Sequence, residues 1–386
     1  MSKKKAGKFS SFLNNPIDFT LLITIMMLLG IGLIMVLSAS SPSALAQNGD
    51  SYVFFKKQLI FAILGVIAMI IISKIDYRFY KKFYKHAWWI SLLLLLAVQI
   101  PGLGIEVKGA KRWIGITENF SFQPSEIVKF LMIIFYAVFL EKNRDELKHF
   151  GKGIIKPLLL LAPIIVLLLI QPHFSASLVI MGIVSIMMIV AGCKFTNLLG
   201  LAGGVGLPFG LLLIIKSPYR LKRVVTFLDP WQDATGKGWQ VIQSLYAIGS
   251  GGLFGRGLGE SKQKYLYIPE PHNDFIFSII GEELGFIGCA FIIILFAIFI
   301  WRGILIAMKA PDMYGSLTAI GITSLVGIQA IMNIAVVTSS IPATGMPLPF
   351  FSYRRNRTIY TIMPNGSIVK HIKSKCKRII RRKKWE

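Results

Sequence analysis

Asp274 stands where two kinds of sequence meet. It closes the polar run Tyr267-Ile-Pro-Glu-Pro-His-Asn-Asp274, and the apolar stretch Phe275-Ile-Phe-Ser-Ile-Ile follows at once. A carboxylate at the boundary between water and an apolar slab is partly desolvated, which suits a general base. The plain alternative is an acid at a helix start, complementing the dipole. Glu282 and Glu283 lie further into the apolar stretch, about 12 Å along a helix that rises about 1.5 Å per residue. Charge at the centre of a membrane span costs roughly 2.5–3.5 kcal/mol on insertion scales. The two acids therefore need partners, protonation or a polar cavity, and a functional or a structural ion-pair role would each satisfy that need.

Basic groups precede these acids. Tyr219-Arg220-Leu-Lys-Arg223 is followed by Lys237, then by a glycine-dense run ending Gly255-Arg256-Gly-Leu-Gly259, then by Lys262 and Lys264. Glycines let backbone amides approach a ligand closely, and amides with basic side chains are what a pyrophosphate needs. A flexible basic loop touching lipid headgroups would have the same composition. Glu270 and His272, in the run before Asp274, join the candidate substrate-binding set. So do Lys111 and Arg112 in Lys108-Gly-Ala-Lys-Arg-Trp113.

Gln123-Pro124-Ser125-Glu126-Ile-Val-Lys129 reads as a helix start, with proline in the first turn. Glu126 and Lys129 are spaced i, i+3 and can pair. A local ion pair is the plain reading, and lining a cavity the sharper one. Gln171-Pro172-His173 separates two apolar runs and makes a tight hairpin, in which His173 reads as a hydrogen-bonded turn residue. Cys193, Cys289 and Cys376 match no metal or redox spacing.

These residues must be positioned by membrane spans. The chain of 386 residues is 54% hydrophobic and only 16% charged, whereas soluble domains run nearer about a quarter charged. Hydropathy marks nine spans, near 19–39, 58–74, 84–101, 125–141, 157–171, 174–192, 196–216, 274–301 and 314–338. The first is too long for a cleaved signal peptide. Lysines at 3, 4, 5 and 8, and basic clusters at 78–85 and 142–152, fall on one side. The positive-inside rule makes that side cytoplasmic. Residues 1–17 are then a cytoplasmic segment, and 102–123 and 217–273 face outward, the second as a large loop before the eighth span.

The formal charge is +25. Residues 354–386 hold 12 Lys/Arg and one acid, a net of +11, which leaves +14 for the first 353. Most of that charge sits beside spans, so an anionic lipid surface is the expected partner and nucleic acid is not.

Eight segments in order carry a resemblance. They are Gly109-Ala-Lys-Arg-Trp-Ile, Gln123-Pro-Ser-Glu-Ile-Val-Lys129, Leu228-Asp-Pro-Trp, Gln243-Ser-Leu-Tyr-Ala-Ile-Gly, Gly255-Arg-Gly-Leu-Gly-Glu-Ser, Pro269-Glu-Pro-His-Asn-Asp-Phe-Ile-Phe, Gly281-Glu-Glu-Leu-Gly and Ile341-Pro-Ala-Thr-Gly-Met-Pro-Leu-Pro-Phe-Phe-Ser-Tyr353. Together they resemble the SEDS family (shape, elongation, division, sporulation), the FtsW/RodA/SpoVE proteins. The Gln243 segment leans toward the division and sporulation branch.

The resemblance implies an all-α bundle of ten membrane helices. It implies polymerisation of lipid II into glycan strands on the outer face of the bacterial cytoplasmic membrane, with Asp274 as the base. The basic loop residues would then stabilise a departing pyrophosphate. No cofactor is required outright, although a divalent cation, magnesium or manganese, could share that task; no metal ligand set is legible. Glu126 and Lys129 match positions that line the family's cavity. The implied partners are a class B penicillin-binding protein, which is a transpeptidase, and divisome or sporulation wall-synthesis proteins.

Two departures stand out. His173 occupies a place where many members carry Asp. After Tyr353 the family continues with two glycines and a tenth apolar span, whereas here Arg354-Arg355 begin a basic stretch. The expected division is thus a SEDS-like domain at 18–353 and an atypical tail at 354–386, read as a frameshift and expected on the outer side. A flippase for lipid-linked sugars and a non-catalytic scaffold for a transpeptidase are the alternative functions.

Overall fold

The computed structural model describes residues 18–107, 110–117, 120–147, 149–236, 238–265, 273–352 and 357–369. Lys237, Glu270 and His272 lie outside the described residues.

Each predicted span coincides with a helix: α1 Phe19–Asn48, α2 Val53–Lys74, α3 Tyr84–Ala97, α4 Pro124–Lys142, α5 Gly151–Ile170, α6 Phe174–Ala191, α7 Phe195–Ile215, and, after two intervening helices, Ile276–Lys309 and Met313–Val337. Seven of the nine are long and apolar enough to cross a membrane. The other two are α3, with 14 residues, and α4, with 19 residues including Glu126, Lys129, Glu141 and Lys142. α4 can carry that charge because it is central. It packs against α3, α6 and Met313–Val337, and it buries Met132 to Leu140 without a break.

The stretch at 217–273 is more ordered than a loop. It contains α8, Pro218–Leu228, and α9, Trp239–Gly251. Ile276–Lys309 is α10 and Met313–Val337 is α11. The other predicted loop, 102–123, holds an antiparallel sheet with strand order β1-β2-β3: β1 Gly104–Val107, β2 Ala110–Thr117 and β3 Phe120–Phe122.

α10 is broken. Its 34 residues would reach about 51 Å at about 1.5 Å per residue, against a hydrocarbon core of about 30 Å. Gly285 has φ 67° and ψ −165° and splits the helix. The membrane crossing is therefore the part after Gly285, and the expected span at 274–301 is shifted toward Lys309. A break exposes backbone groups that need partners, and the chain supplies them from the loop after α9. Phe286 N–H donates to Gly252 O at 2.9 Å and Ile287 N–H to Leu253 O at 3.2 Å, while Arg256 N–H donates to Glu282 O at 2.9 Å and Gly257 N–H to Glu283 O at 3.1 Å. Glycine is required where these backbones touch. A Cβ on Gly285 would sit 2.3 Å from Gly255 N, and one on Gly251 would sit 1.9 Å from Gly281 O.

The stretch after Tyr353 also differs from expectation. Two short helices, α12 Arg357–Ile362 and α13 Asn365–Val369, pack along α2. Gln58 Nε2 donates to Thr358 Oγ1 at 2.8 Å near the start of α2. A Cβ on Gly366 would lie 2.3 Å from Met69 O and 3.1 Å from Ser73 N, near its end. Ile362 and Ile368 are buried in the apolar core. The described part of the tail therefore runs in the direction of α2, away from the end of the bundle that carries Asp274.

Candidate functional site

Asp274 sits just before the first turn of α10, half-buried. Phe275 and Ile276 behind it are buried and fix where the helix begins. The key support comes from α11. Asn333 is fully buried, and its Nδ2 donates to Asp274 O at 2.8 Å and to Met346 O at 2.6 Å. One amide thus ties the entry of α10 to the irregular segment 341–352.

That segment has no helix, yet Met346 to Ser352 are buried. Irregular backbone at membrane depth is tolerated where protein encloses it. Phe350 and Phe351 pack on Phe296 with centroids 6.5 and 6.2 Å away, and Phe350 also meets Phe299 at 6.2 Å. Gly32 of α1 makes room, since a Cβ there would lie 2.5 Å from Phe350 O. Gly345 has φ 68°, the left-handed region that favours glycine, and a Cβ there would be 3.4 Å from Asp274 Oδ2. The segment's backbone therefore forms a wall beside the carboxylate.

Other elements pin the same wall. Ser175 Oγ donates to Thr344 O at 2.6 Å and Arg223 Nη1 to Ala343 O at 2.8 Å, while Ser244 Oγ holds the end of α11 through Val337 O at 2.9 Å. Between α8, α9 and the wall lies a cavity of about 250 Å³, lined by Arg223, Thr226, Trp239, Gln240, Ile341 and Ala343 among others.

The hairpin at 171–173 brings in more predicted residues. Arg112 of β2 donates through Nε to Gln171 O at 3.4 Å and through Nη2 to Pro172 O. His173 caps α6 by accepting from Ala176 N–H at 3.3 Å, and its Nε2 lies 2.6 Å from the Gln123 side-chain amide. This is the turn role expected of it. Arg220 donates to Leu213 O at 3.1 Å and stacks over Phe174 with its guanidinium carbon 5.5 Å from the ring centroid. Within the first two turns of α4 after Gln123, Lys129 Nζ bonds Glu126 at 2.8 and 3.0 Å, with side chains 1% and 7% exposed. This pair is buried and linked to the mouth of the site through Gln123 and His173. Lys111 is exposed on β2.

Arg256 and Lys264 are placed elsewhere, at the Gly285 break. Lys264 Nζ pairs with Glu283 Oε1 at 3.0 Å, and Ser38 Oγ of α1 donates to both Glu283 oxygens at 2.6 and 2.8 Å. Glu282 accepts from Ser261 Oγ, from Lys262 N–H at 2.9 Å and from Gln263 N–H at 3.3 Å, with Arg256 Nε 4.0 Å away. The acids expected at the centre of a span are thus at its end, saturated by donors. The structure brings Asp274, Arg223, Arg220, Arg112 and His173 around the 171–175 hairpin and the 341–345 wall, and keeps Arg256 and Lys264 about two turns further along α10.

Asn333, Gly345 and Ser175 are site residues that the motif-level reading missed. Asn333 had a signal: an amide in an otherwise apolar span needs a partner. Among the described residues no group of three or more His, Cys, Asp or Glu could hold a metal ion.

A family model described as "Cell cycle protein", covering FtsW, RodA and SpoVE, matches residues 19–377. The chain is 44% identical over 357 residues to Stage V sporulation protein E of Bacillus subtilis (strain 168), with 91% of this chain and 96% of that protein covered. It is 43% identical over 352 residues to a probable peptidoglycan glycosyltransferase FtsW of Trichlorobacter lovleyi, with 91% and 92% covered. A solved structure on the coordination of polymerization and crosslinking by a peptidoglycan synthase complex superposes with a TM-score of 0.75 at 28% identity, covering 92% of this chain and 96% of that one. The Thermus thermophilus rod shape determining protein RodA superposes with a TM-score of 0.68 at 25% identity, covering 93% and 97%.

Proposed function

Because this chain belongs to the FtsW/RodA/SpoVE family of multi-pass membrane proteins, we propose that it is a peptidoglycan glycosyltransferase that polymerises lipid II for septal or spore wall. The observation that carries this reading is the half-buried Asp274 carboxylate, held beside the Gly345 wall by Asn333 and next to the cavity that Arg223 lines.

In the proposed reaction the acceptor sugar's 4-hydroxyl oxygen attacks the anomeric carbon of the donor's N-acetylmuramic acid. The hydroxyl proton passes to Asp274 as the new glycosidic bond forms. The bond from the anomeric carbon to the phosphate oxygen breaks, and undecaprenyl pyrophosphate leaves with the bonding pair. Charge grows on that leaving group, and Arg223, Arg220 and Arg112 are the cations grouped on this side to meet it. Asn333 and Gly345 act through Asp274 by setting where its backbone lies. The reaction faces the exterior if the loop charges orient the chain as expected. A class B transpeptidase would crosslink the product.

The test is polymer formation from lipid II by the purified chain, with and without Asp274→Ala. Polymer from the parent and none from the variant supports the reading. Equal polymer from both removes the assignment of the base. No polymer from either, with lipid II moved across vesicles, would favour the flippase. We further propose that residues 354–386 are a shifted reading frame of the family's ending. Translating the other two frames past codon 353 tests this, and absence of a Gly-Gly start with an apolar run in both would reject it.

A further inference from the structure

A second cavity lies at the Gly285 break, apart from Asp274. It has a volume of about 330 Å³ and is lined by Tyr246, Ser250, Arg256, Lys262, Gln263 and Glu282 among others. Its depth in the membrane follows from α10. Phe286 to Lys309 is 24 residues, or about 36 Å at about 1.5 Å per residue, slightly more than a hydrocarbon core of about 30 Å. Lys309 ends one side of that crossing, so Gly285 and this cavity sit at the headgroup level of the opposite leaflet.

The chemistry of the lining is specific. Glu282 keeps its negative charge, with its oxygens turned into the protein by Ser261, Lys262 N–H and Gln263 N–H and with Arg256 Nε 4.0 Å away, so Arg256 and Lys262 leave the lining one positive charge in excess. Among the described residues Arg256 donates through Nε, to Ser250 O at 3.3 Å, with Glu282 Oε1 4.0 Å from the same nitrogen, and the guanidinium's other edge can face a ligand. Lys262 is exposed beside it. Among the described residues no protein donor reaches the buried Gln263 Oε1, and a buried acceptor in that state is met by a hydroxyl or N–H of water or of a ligand. The loop that carries Arg256 also presents exposed apolar side chains: Leu253 is 63%, Phe254 80% and Leu258 58% exposed.

Two cations against one carboxylate, a buried amide oxygen and exposed apolar side chains in the same loop, all at interfacial depth, match one kind of molecule. We propose that this cavity binds the headgroup of an anionic bilayer phospholipid. Arg256 and Lys262 hold its phosphate, Gln263 accepts from a headgroup hydroxyl, and the acyl chains lie on Leu253, Phe254 and Leu258. Phosphate held by arginine is a strong, charge-assisted contact. The proposal stands apart from the glycosyltransferase reading, because it concerns a different cavity and a molecule that does not react.

The experiment uses the full chain in vesicles of mixed phosphatidylglycerol and phosphatidylcholine, released into detergent for native mass spectrometry. The parent is expected to retain phosphatidylglycerol preferentially. Arg256→Gln with Lys262→Gln is expected to lower that preference about tenfold, the loss of one to two charge-assisted contacts. Gln263→Leu is expected to lower it less. Lys152→Gln with Lys156→Gln, an equal charge loss elsewhere, is expected to leave it intact. A phosphatidylglycerol with a photoreactive headgroup is expected to label the 246–263 region of the unaltered protein, a readout that requires no variant to fold. Four results would each overturn the proposal: retention unaffected by the 256/262 change, equal loss from the 152/156 change, labelling confined to other regions, or displacement by undecaprenyl pyrophosphate at lower concentration than phosphatidylglycerol, which would make the cavity a substrate site.

Discussion

Asp274, just ahead of α10, and the pair Glu282–Glu283 within its first arm lie about two turns apart, and the fold treats them in opposite ways. Each oxygen of the Glu pair is met by a hydroxyl, an ammonium or a backbone N–H, and both residues are 1% exposed. Asp274 is half-buried at the mouth, and its surroundings fix its backbone. A carboxylate saturated by buried donors is committed to holding elements together. One set at a rim, with its main chain clamped, is placed where a substrate can reach it. Residue type did not separate these roles; burial did, half-complete at Asp274 and all but complete at the Glu pair.

The contrast can be broken first at Asp274. Asp274→Asn is expected to lower lipid II polymerisation by about 10²–10⁴-fold, the span of general-base contributions, while thermal unfolding in detergent stays within a few degrees of the parent. Near-normal turnover would put Asp274 in the same class as the Glu pair.

Lys264→Met tests the other side. It removes a cation from a buried pair, which costs about 3–5 kcal/mol, and it should appear as lost folded protein on size exclusion. Lys264→Met with Glu283→Leu should regain much of the yield, since an apolar pair of similar size leaves no stranded charge. If Lys264→Met folds normally but fails in turnover, the Glu pair is working in catalysis after all.

Asn333→Leu sharpens the comparison, because it leaves the carbonyls of Asp274 and Met346 without their shared donor. Each unmet buried acceptor costs about 1–3 kcal/mol. Turnover is expected to fall more than lipid II affinity does, as seen in kcat against KM. Gly345→Ala is the smallest expected effect, about 1 kcal/mol for a left-handed alanine, read from urea or thermal midpoints. Its Cβ would also crowd Asp274 Oδ2, so a modest drop in kcat should accompany it.

Much of the helical layout was legible from apolar runs, because a bilayer demands them. The Glu126–Lys129 pair and the His173 turn were equally legible, since both depend on spacing of a few residues. What escaped was non-local. The stretch from Ile276 to Lys309 reads as one apolar run, and only the loop at 252–257, some 30 residues upstream, makes a break at Gly285 affordable in hydrogen bonds. Nearness in sequence placed Arg256 and Lys264 with Asp274, whereas that same loop carries them to the break. The wall at 341–352 carries no periodic signal, being built by contacts from α1, α6, α8 and α11. The short sheet at 104–122 was missed because hydropathy over a membrane protein ranks spans and is blind to brief strands.

The helices at Arg357–Val369 lie against α2 and descend toward its last turn. α1 and α2 are neighbours in a hairpin, so Val369 lies at the end of the bundle where Asp18 starts α1. Parity of crossings is then decided by how residues 357–369 pack along α2. Reporter domains fused ahead of residue 18 and after residue 369 should light up in the same compartment.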